Sequence, residues 1–154
     1  MTTAIAPTTN DPTTSPADVL IVDAGPLYAA AATADRHHAA CAALLQAHAD
    51  APLVVPALVV TEVAYLIGDR LGTAAETALA RALGEGELVV EPPVPADWAR
   101  ITELCERYAD LGIVDASVVT LAERLGVTRI ATLDHRHFAA VRPAHTPAFE
   151  LLPA

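Results

Sequence analysis

With 154 residues and a formal net charge of -10, the chain is long enough for one domain with a full hydrophobic core, too short for two, and too acidic to carry a broad basic footprint for nucleic acid. All nine basic residues are arginines, which excludes chemistry that needs a lysine, such as a Walker-type phosphate loop or a Schiff base. Alanine inflates the hydrophobic fraction of 53%, and no apolar run approaches the roughly 20 residues that span a membrane; Cys41 and Cys105 stand far apart with no zinc or disulfide spacing, so no membrane association and a reducing cytoplasm are expected.

Residues 1–17, MTTAIAPTTNDPTTSPA, are rich in threonine and proline and lack the basic start and apolar centre of a secretory signal. They are expected to form a disordered extension, with one folded domain over residues 18–154. The run VLIV (19–22) predicts a strand buried on both faces, as in a parallel sheet, and Pro26 suits the first turn of the helix after it. DRHHAACAALLQAHA (35–49) reads as a helix and PLVV (52–55) as a strand. PALVVTEVAYLIGDRLG (56–72) reads as a helix with Pro56 near its start and Gly72 near its end, and TAAETALARALG (73–84) as another. ELVVEP (87–92) predicts a strand, residues 95–109 and 114–126 two helices, and TRIATL (128–133) the last strand. Strands alternating with helices imply a three-layer α/β fold whose central sheet is mainly parallel.

Within that frame the acids have unusual addresses. Ligands of open parallel sheets bind beyond the carboxyl ends of the strands, and Asp23 and Asp134 each follow a predicted strand directly. Either alone could simply begin a turn. Glu62 has Leu58, Val59, Tyr65 and Leu66 as its helical neighbours, so its carboxylate is expected to project from the apolar stripe that faces the core, where it would need a proton, a cation or a metal. The alternative is an edge position from which the side chain reaches water. Asp115 shares a helical face with Val118, Val119 and Ala122, and an aspartate at a helix start also serves the backbone N–H groups there.

Asp23 in VDAGPL, Glu62 in PALVVTEV, Asp115 in GIVDASVVTLAERLG and Asp134 in ATLDHRHF resemble, in order and spacing, the acidic quartet of the PIN-domain ribonucleases, particularly the VapC-type toxins of bacterial toxin-antitoxin pairs. The likeness runs from about residue 19 to the C-terminus and implies a PIN-like fold, a divalent-metal-dependent endoribonuclease acting on RNA, a cognate antitoxin and a homodimer. The residues support such chemistry independently: four converging carboxylates repel one another unless cations lie between them, and oxygen ligands select Mg²⁺ or Mn²⁺. Asp23 and Asp115 are expected to be the main metal ligands, with Asp134 completing the site and Glu62 orienting water or accepting its proton. Thr132, Arg36, His37 and Arg136 are candidate substrate contacts, with His38, His135 and His137 beside them.

Two enzyme alternatives fail on the same residues. A receiver-type phosphoacceptor needs a lysine, and a haloacid-dehalogenase-like phosphatase needs an aspartate two residues after Asp23, where Gly25 stands. The remaining rival is a catalytically inactive PIN-like domain that binds protein. For the active form, a cluster of acids would be a ready receptor for an arginine of the antitoxin, while the apolar surfaces around VAYLIGDRLG and ALARALG could hold an amphipathic segment of the same partner.

Overall fold

The structure is a computed structural model that describes residues 14–154. Most of the expected N-terminal extension, residues 1–13, lies outside the described residues; residues 16–18 form a turn in which Asp18 N–H donates to the Ser15 carbonyl. The elements follow as β1 (Leu20–Val22), α1 (Ala24–Ala31), α2 (His38–Ala47), β2 (Leu53–Pro56), α3 (Ala57–Leu71), α4 (Thr73–Glu85), β3 (Val89–Glu91), α5 (Asp97–Arg107), α6 (Ile113–Leu125), β4 (Arg129–Ala131), α7 (His135–Ala140) and β5 (Glu150–Leu152). No helix among the described residues is long and apolar enough to cross a membrane.

The five strands form one sheet in the order β3-β2-β1-β4-β5, and every pairing is parallel. The expected mainly parallel α/β architecture is thus observed in its fully parallel form. Parallel strands covered by helices must be apolar on both faces, and Leu20, Ile21, Val22, Val54, Val55 and Ile130 are accordingly buried. Helix α6 is buried almost continuously from Ala116 to Ala122 and packs against α3 and α5. It closes on Gly126 at φ 67, where the N–H groups of Gly126 and Val127 reach back to the carbonyls of Glu123 and Ala122; glycine accepts this left-handed turn without strain and directs the chain into β4.

Four expectations need correction. The strand ending near residue 133 is not the last: β5 pairs outside β4, with Glu150 N–H donating to Thr128 and Thr132 N–H to Leu152. Three residues set among prolines give no readable periodicity, and β5 exists because the outer edge of β4 offers it backbone partners. Helix α7, six residues long, is likewise missing from the expected elements. The helix expected from residue 35 begins at His38, so Arg36 and His37 stand on the turn before it, held by the His37 N–H donating to Asp35 Oδ1 at 2.7 Å. Pro56 closes β2 and precedes α3, because its fixed φ of -58 is combined with an extended ψ of 139.

Candidate active site

From β1 the chain builds outward through β2 to β3, then returns to place β4 on the other side of β1. The connections leaving β1 and β4 therefore diverge, opening a crevice at the carboxyl ends of these two strands. Asp23 and Asp134 flank that switch point. The β1–β4 register, Val22 opposite Ala131, sets Asp23 opposite Thr132, and Asp23 N–H extends the ladder by donating to the Ala131 carbonyl at 2.9 Å.

Asp23 is buried, at 7% exposure, and caps α1: its Oδ1 accepts from Ala24 N–H at 2.8 Å and its Oδ2 from the Thr132 hydroxyl at 2.9 Å. Burial pushes its pKa above the ordinary value; the two hydrogen bonds oppose the rise and the charge of Asp134 adds to it. Thr132 also accepts from Asp134 N–H at 3.0 Å. This hydroxyl fastens the two acid-bearing segments together, and Thr132 is fully buried. The expected contact between Thr132 and substrate is therefore corrected: no phosphate can reach it, and it positions the acids instead.

Asp134 caps α7, with Oδ1 accepting from His137 N–H at 3.2 Å and Oδ2 lying 2.7 Å from His137 Nδ1. Asp115 occupies the first turn of α6, whose N-cap is Gly112 and offers no side chain. No hydrogen bond holds the Asp115 carboxylate among the described residues. Its pKa is pushed up to about 6, first by burial and then by the charges of Asp23, Asp134 and Glu62, with His137 acting the other way.

Glu62 reaches the same cluster from α3, though not from the core. The buried stripe of α3 is Val59, Val63 and Ile67, while Glu62 is exposed and its neighbour Tyr65 is 72% exposed. The expectation that Glu62 projects from the core-facing stripe is corrected: Leu58, Tyr65 and Leu66 are apolar without marking the buried face, and Glu62 takes the edge position. Partial burial, and then the charge of Asp23, still raise its pKa.

The structure thus brings Asp23, Glu62, Asp115 and Asp134 within mutual electrostatic reach, and among the described residues no arginine pairs with any of them. Arg36 and His37 are bound to each other, Nε to Nε2 at 2.9 Å, and none of their hydrogen bonds reaches the acids. Arg136 is exposed on α7. His38 serves packing: its Nδ1 lies 2.9 Å from the Ala29 carbonyl and ties α2 to the end of α1. Gly25, in the first turn of α1, faces Leu133 so closely that an added Cβ would lie 3.3 Å from the leucine Cβ. Sequence reasoning did not place a donor at His137, although its three-residue spacing from Asp134 puts both on one face of α7. One oxygen each of Asp115 and Asp134 and one ring nitrogen of His137 lie within 4.8 Å of one another. Two carboxylates and an imidazole this close, with Asp23 and Glu62 near them, fit a divalent cation, which would relieve the repulsion that raises the pKa of Asp115.

The PIN domain family model matches residues 20–142, a span that contains all four acids. The chain belongs to the PIN-domain family. This PIN domain is 37% identical over 136 residues to Ribonuclease VapC26 of Mycobacterium tuberculosis (strain ATCC 25618 / H37Rv), covering 87% of the chain and 100% of that protein. Its fold is similar to the crystal structure of Mycobacterium tuberculosis VapC20, described as a Sarcin-Ricin loop cleaving toxin, with a TM-score of 0.72 at 19% identity over 82% of this chain and 98% of that one. It is also similar to PAE2754 from Pyrobaculum aerophilum, with a TM-score of 0.55 at 23% identity over 91% and 90% of the two chains. The two solved structures speak for the fold alone. Among the described residues Cys41 and Cys105 are free, the first buried and the second half-buried.

Proposed function

We propose that this PIN domain is a divalent-metal-dependent endoribonuclease that hydrolyses RNA phosphodiester bonds and acts as the toxin of a toxin-antitoxin pair. The observation that carries the reading is the convergence of four carboxylates at one sheet edge, where no arginine pairs with them among the described residues and His137 beside Asp134 is the one basic neighbour. A bound divalent cation would relieve the repulsion among these carboxylates. The ribonuclease relative, covered over its whole length, supplies the substrate class.

Asp23, Asp115 and Asp134 are the residues that would hold Mg²⁺ or Mn²⁺. When bound, such an ion polarises a phosphoryl oxygen, activates water and stabilises the leaving oxygen of an in-line displacement. Glu62, exposed and held above its ordinary pKa, orients the attacking water and accepts its proton. Thr132 keeps Asp23 and Asp134 in fixed relation through its two hydrogen bonds. Arg36, His37 and Arg136, all on the segments that follow α1 and β4, contact phosphates of the RNA backbone, a local positive contribution against the negative whole.

Two separate features support a protein partner, the acidic cluster and an apolar groove. An arginine of a cognate antitoxin inserted among Asp23, Glu62 and Asp115 would occupy the place of the ion. An amphipathic segment of that antitoxin fits the apolar groove of about 600 Å³ lined by Leu27, Leu45, Ile67, Leu79 and Leu88. The working form is a cytoplasmic homodimer.

The test is incubation of purified, tag-free protein with a mixed RNA pool in Mg²⁺, in Mn²⁺ and in chelator. Wild type should cleave only with metal, and Asp115→Asn should not cleave. Cleavage that survives the chelator would overturn the mechanism, and a folded, metal-loaded wild type inert toward RNA would return the chain to a protein-binding role.

A further inference from the structure

His137 is bound to the acidic site more closely than a groove-lining histidine needs to be. Its backbone N–H is fixed by Asp134 Oδ1 at 3.2 Å, and its Nδ1 stands 2.7 Å from Asp134 Oδ2. The helix that carries it is anchored from the next residue, because Phe138 is 1% exposed, and Val141 just beyond the helix is 2% exposed. On the other side, Asp134 N–H is fixed by the buried Thr132 hydroxyl. The imidazole therefore has a defined place beside the carboxylates. Its second nitrogen, Nε2, makes no hydrogen bond among the described residues.

Ligands in neighbouring positions of an octahedral ion with bonds of 2.0–2.1 Å are about 3 Å apart, and opposite ones about 4.2 Å apart. The 2.7 Å between His137 Nδ1 and Asp134 Oδ2 is that of a hydrogen bond, and it sets the two donor atoms side by side, where one ion could replace the proton between them. The three donor atoms of Asp115, Asp134 and His137, all within 4.8 Å of one another, form a set that could hold one ion. An ion placed there meets an imidazole nitrogen as well as carboxylate oxygens. Without the ion, Nδ1–H donates to Asp134 Oδ2. For Nδ1 to bind the ion, that nitrogen must give up its proton and the ring must carry its N–H on Nε2.

We propose that His137 is a nitrogen ligand of this metal centre, and that it makes the centre favour transition-metal ions, Mn²⁺ among them, over Mg²⁺. The inference rests on the assignment of the acids as a metal site and adds the ligand that sets its selectivity. Oxygen-only sites suit Mg²⁺, whereas imidazole raises affinity along the first-row divalent series and gives Mg²⁺ little. The contrary arrangement is one in which His137 stays outside the coordination shell and only orients Asp134 through the hydrogen bond it already makes.

Two measurements on the tag-free protein separate these arrangements. Pulsed electron paramagnetic resonance of the Mn²⁺-loaded protein should show nitrogen modulation from a directly bound imidazole, and His137→Gln should lose it. Calorimetric titration should show the Mn²⁺ dissociation constant rising at least about tenfold in His137→Gln, with the Mg²⁺ constant changing by no more than about threefold. His137→Glu, which restores a ligand as an oxygen, should bind both ions with the preference for Mn²⁺ reduced, and it keeps the test open if the glutamine variant folds poorly. Mn²⁺ that binds wild type tightly without nitrogen modulation, or affinities for both ions that fall equally in His137→Gln, would overturn the proposal while leaving the acidic site intact. Mn²⁺ binding that is unchanged in Asp23→Asn and Asp115→Asn would instead remove the acidic site itself.

Discussion

Replacing Asp115 with asparagine preserves its shape and deletes the charge most crowded by its neighbours. In the metal-free protein its pKa is pushed from 3.8 to about 6. Two units correspond to about 3 kcal/mol, which solvent screening of this half-buried group reduces to about 1–2 kcal/mol. The dipole of α6 favours a negative charge in the first turn by about 0.3–1 kcal/mol and works against the gain. Asp115→Asn should therefore be more stable than wild type by about 1 kcal/mol at pH 7.5 in chelator, or about 3 °C in melting temperature, while losing cleavage. Because the folded-state pKa exceeds that of the unfolded chain, folding takes up a proton between 3.8 and about 6. Wild-type stability falls as pH rises through that window, so the advantage of the asparagine variant should vanish as pH drops toward 4. Urea unfolding of both proteins at pH 7.5 and pH 4.5 reads the difference. A variant less stable than wild type at pH 7.5, or a difference that does not change with pH, would show that Asp115 serves the helix and does not belong to a repulsive cluster.

Thr132→Val removes the partner of both Asp23 Oδ2 and Asp134 N–H, and should lower cleavage about 10–100-fold and stability by about 1–3 kcal/mol; Thr132→Ser should retain most of both, and a fully active valine variant would refute the positioning role. Glu123, which accepts from Arg100 Nε and Nη2 at 2.8 Å each and from Ala144 N–H at 2.8 Å, lies far from the acids in function: Glu123→Gln should cost about 2–3 kcal/mol at pH 7 and leave cleavage per folded molecule unchanged. Since its pKa is lowered on folding, the contribution of Glu123 is present above the unfolded value of 4.5 and lost as pH falls through the folded value, which denaturation at pH 7 and pH 3.5 would reveal. Gly25→Ala sets a Cβ 3.3 Å from that of Leu133, between Thr132 and Asp134, and should cost about 1–2 kcal/mol yet reduce cleavage at least about tenfold by shifting Asp134; unchanged cleavage would mean that the cluster tolerates the displacement.

Strand β1 and the position of Asp23 were legible because four consecutive apolar residues followed by an aspartate describe a buried parallel strand ending at a ligand edge. The same logic placed Asp134. Glu62 was assigned to the cluster for a reason the structure revises: Leu58, Tyr65 and Leu66 are apolar but partly or largely exposed, so side-chain hydrophobicity alone misdrew the buried face of α3. The hydroxyl of Thr132 depends on the register between β1 and β4, a long-range pairing that no local pattern encodes. Strand β5 is three residues long and is defined by the edge it completes, and His137 becomes a neighbour of the acids only once Phe138 anchors α7. What is local in energy was readable, and what depends on contacts distant in sequence was not.

The central claim is that the four carboxylates at the switch point between β1 and β4 form a metal centre. Anomalous diffraction from crystals of the protein soaked in Mn²⁺ tests it most directly. The account predicts a Mn²⁺ peak bounded by Asp23, Asp115 and Asp134 that disappears in Asp23→Asn crystals soaked in the same way. A well-occupied Mn²⁺ elsewhere on the molecule, with no density between these acids, would contradict it.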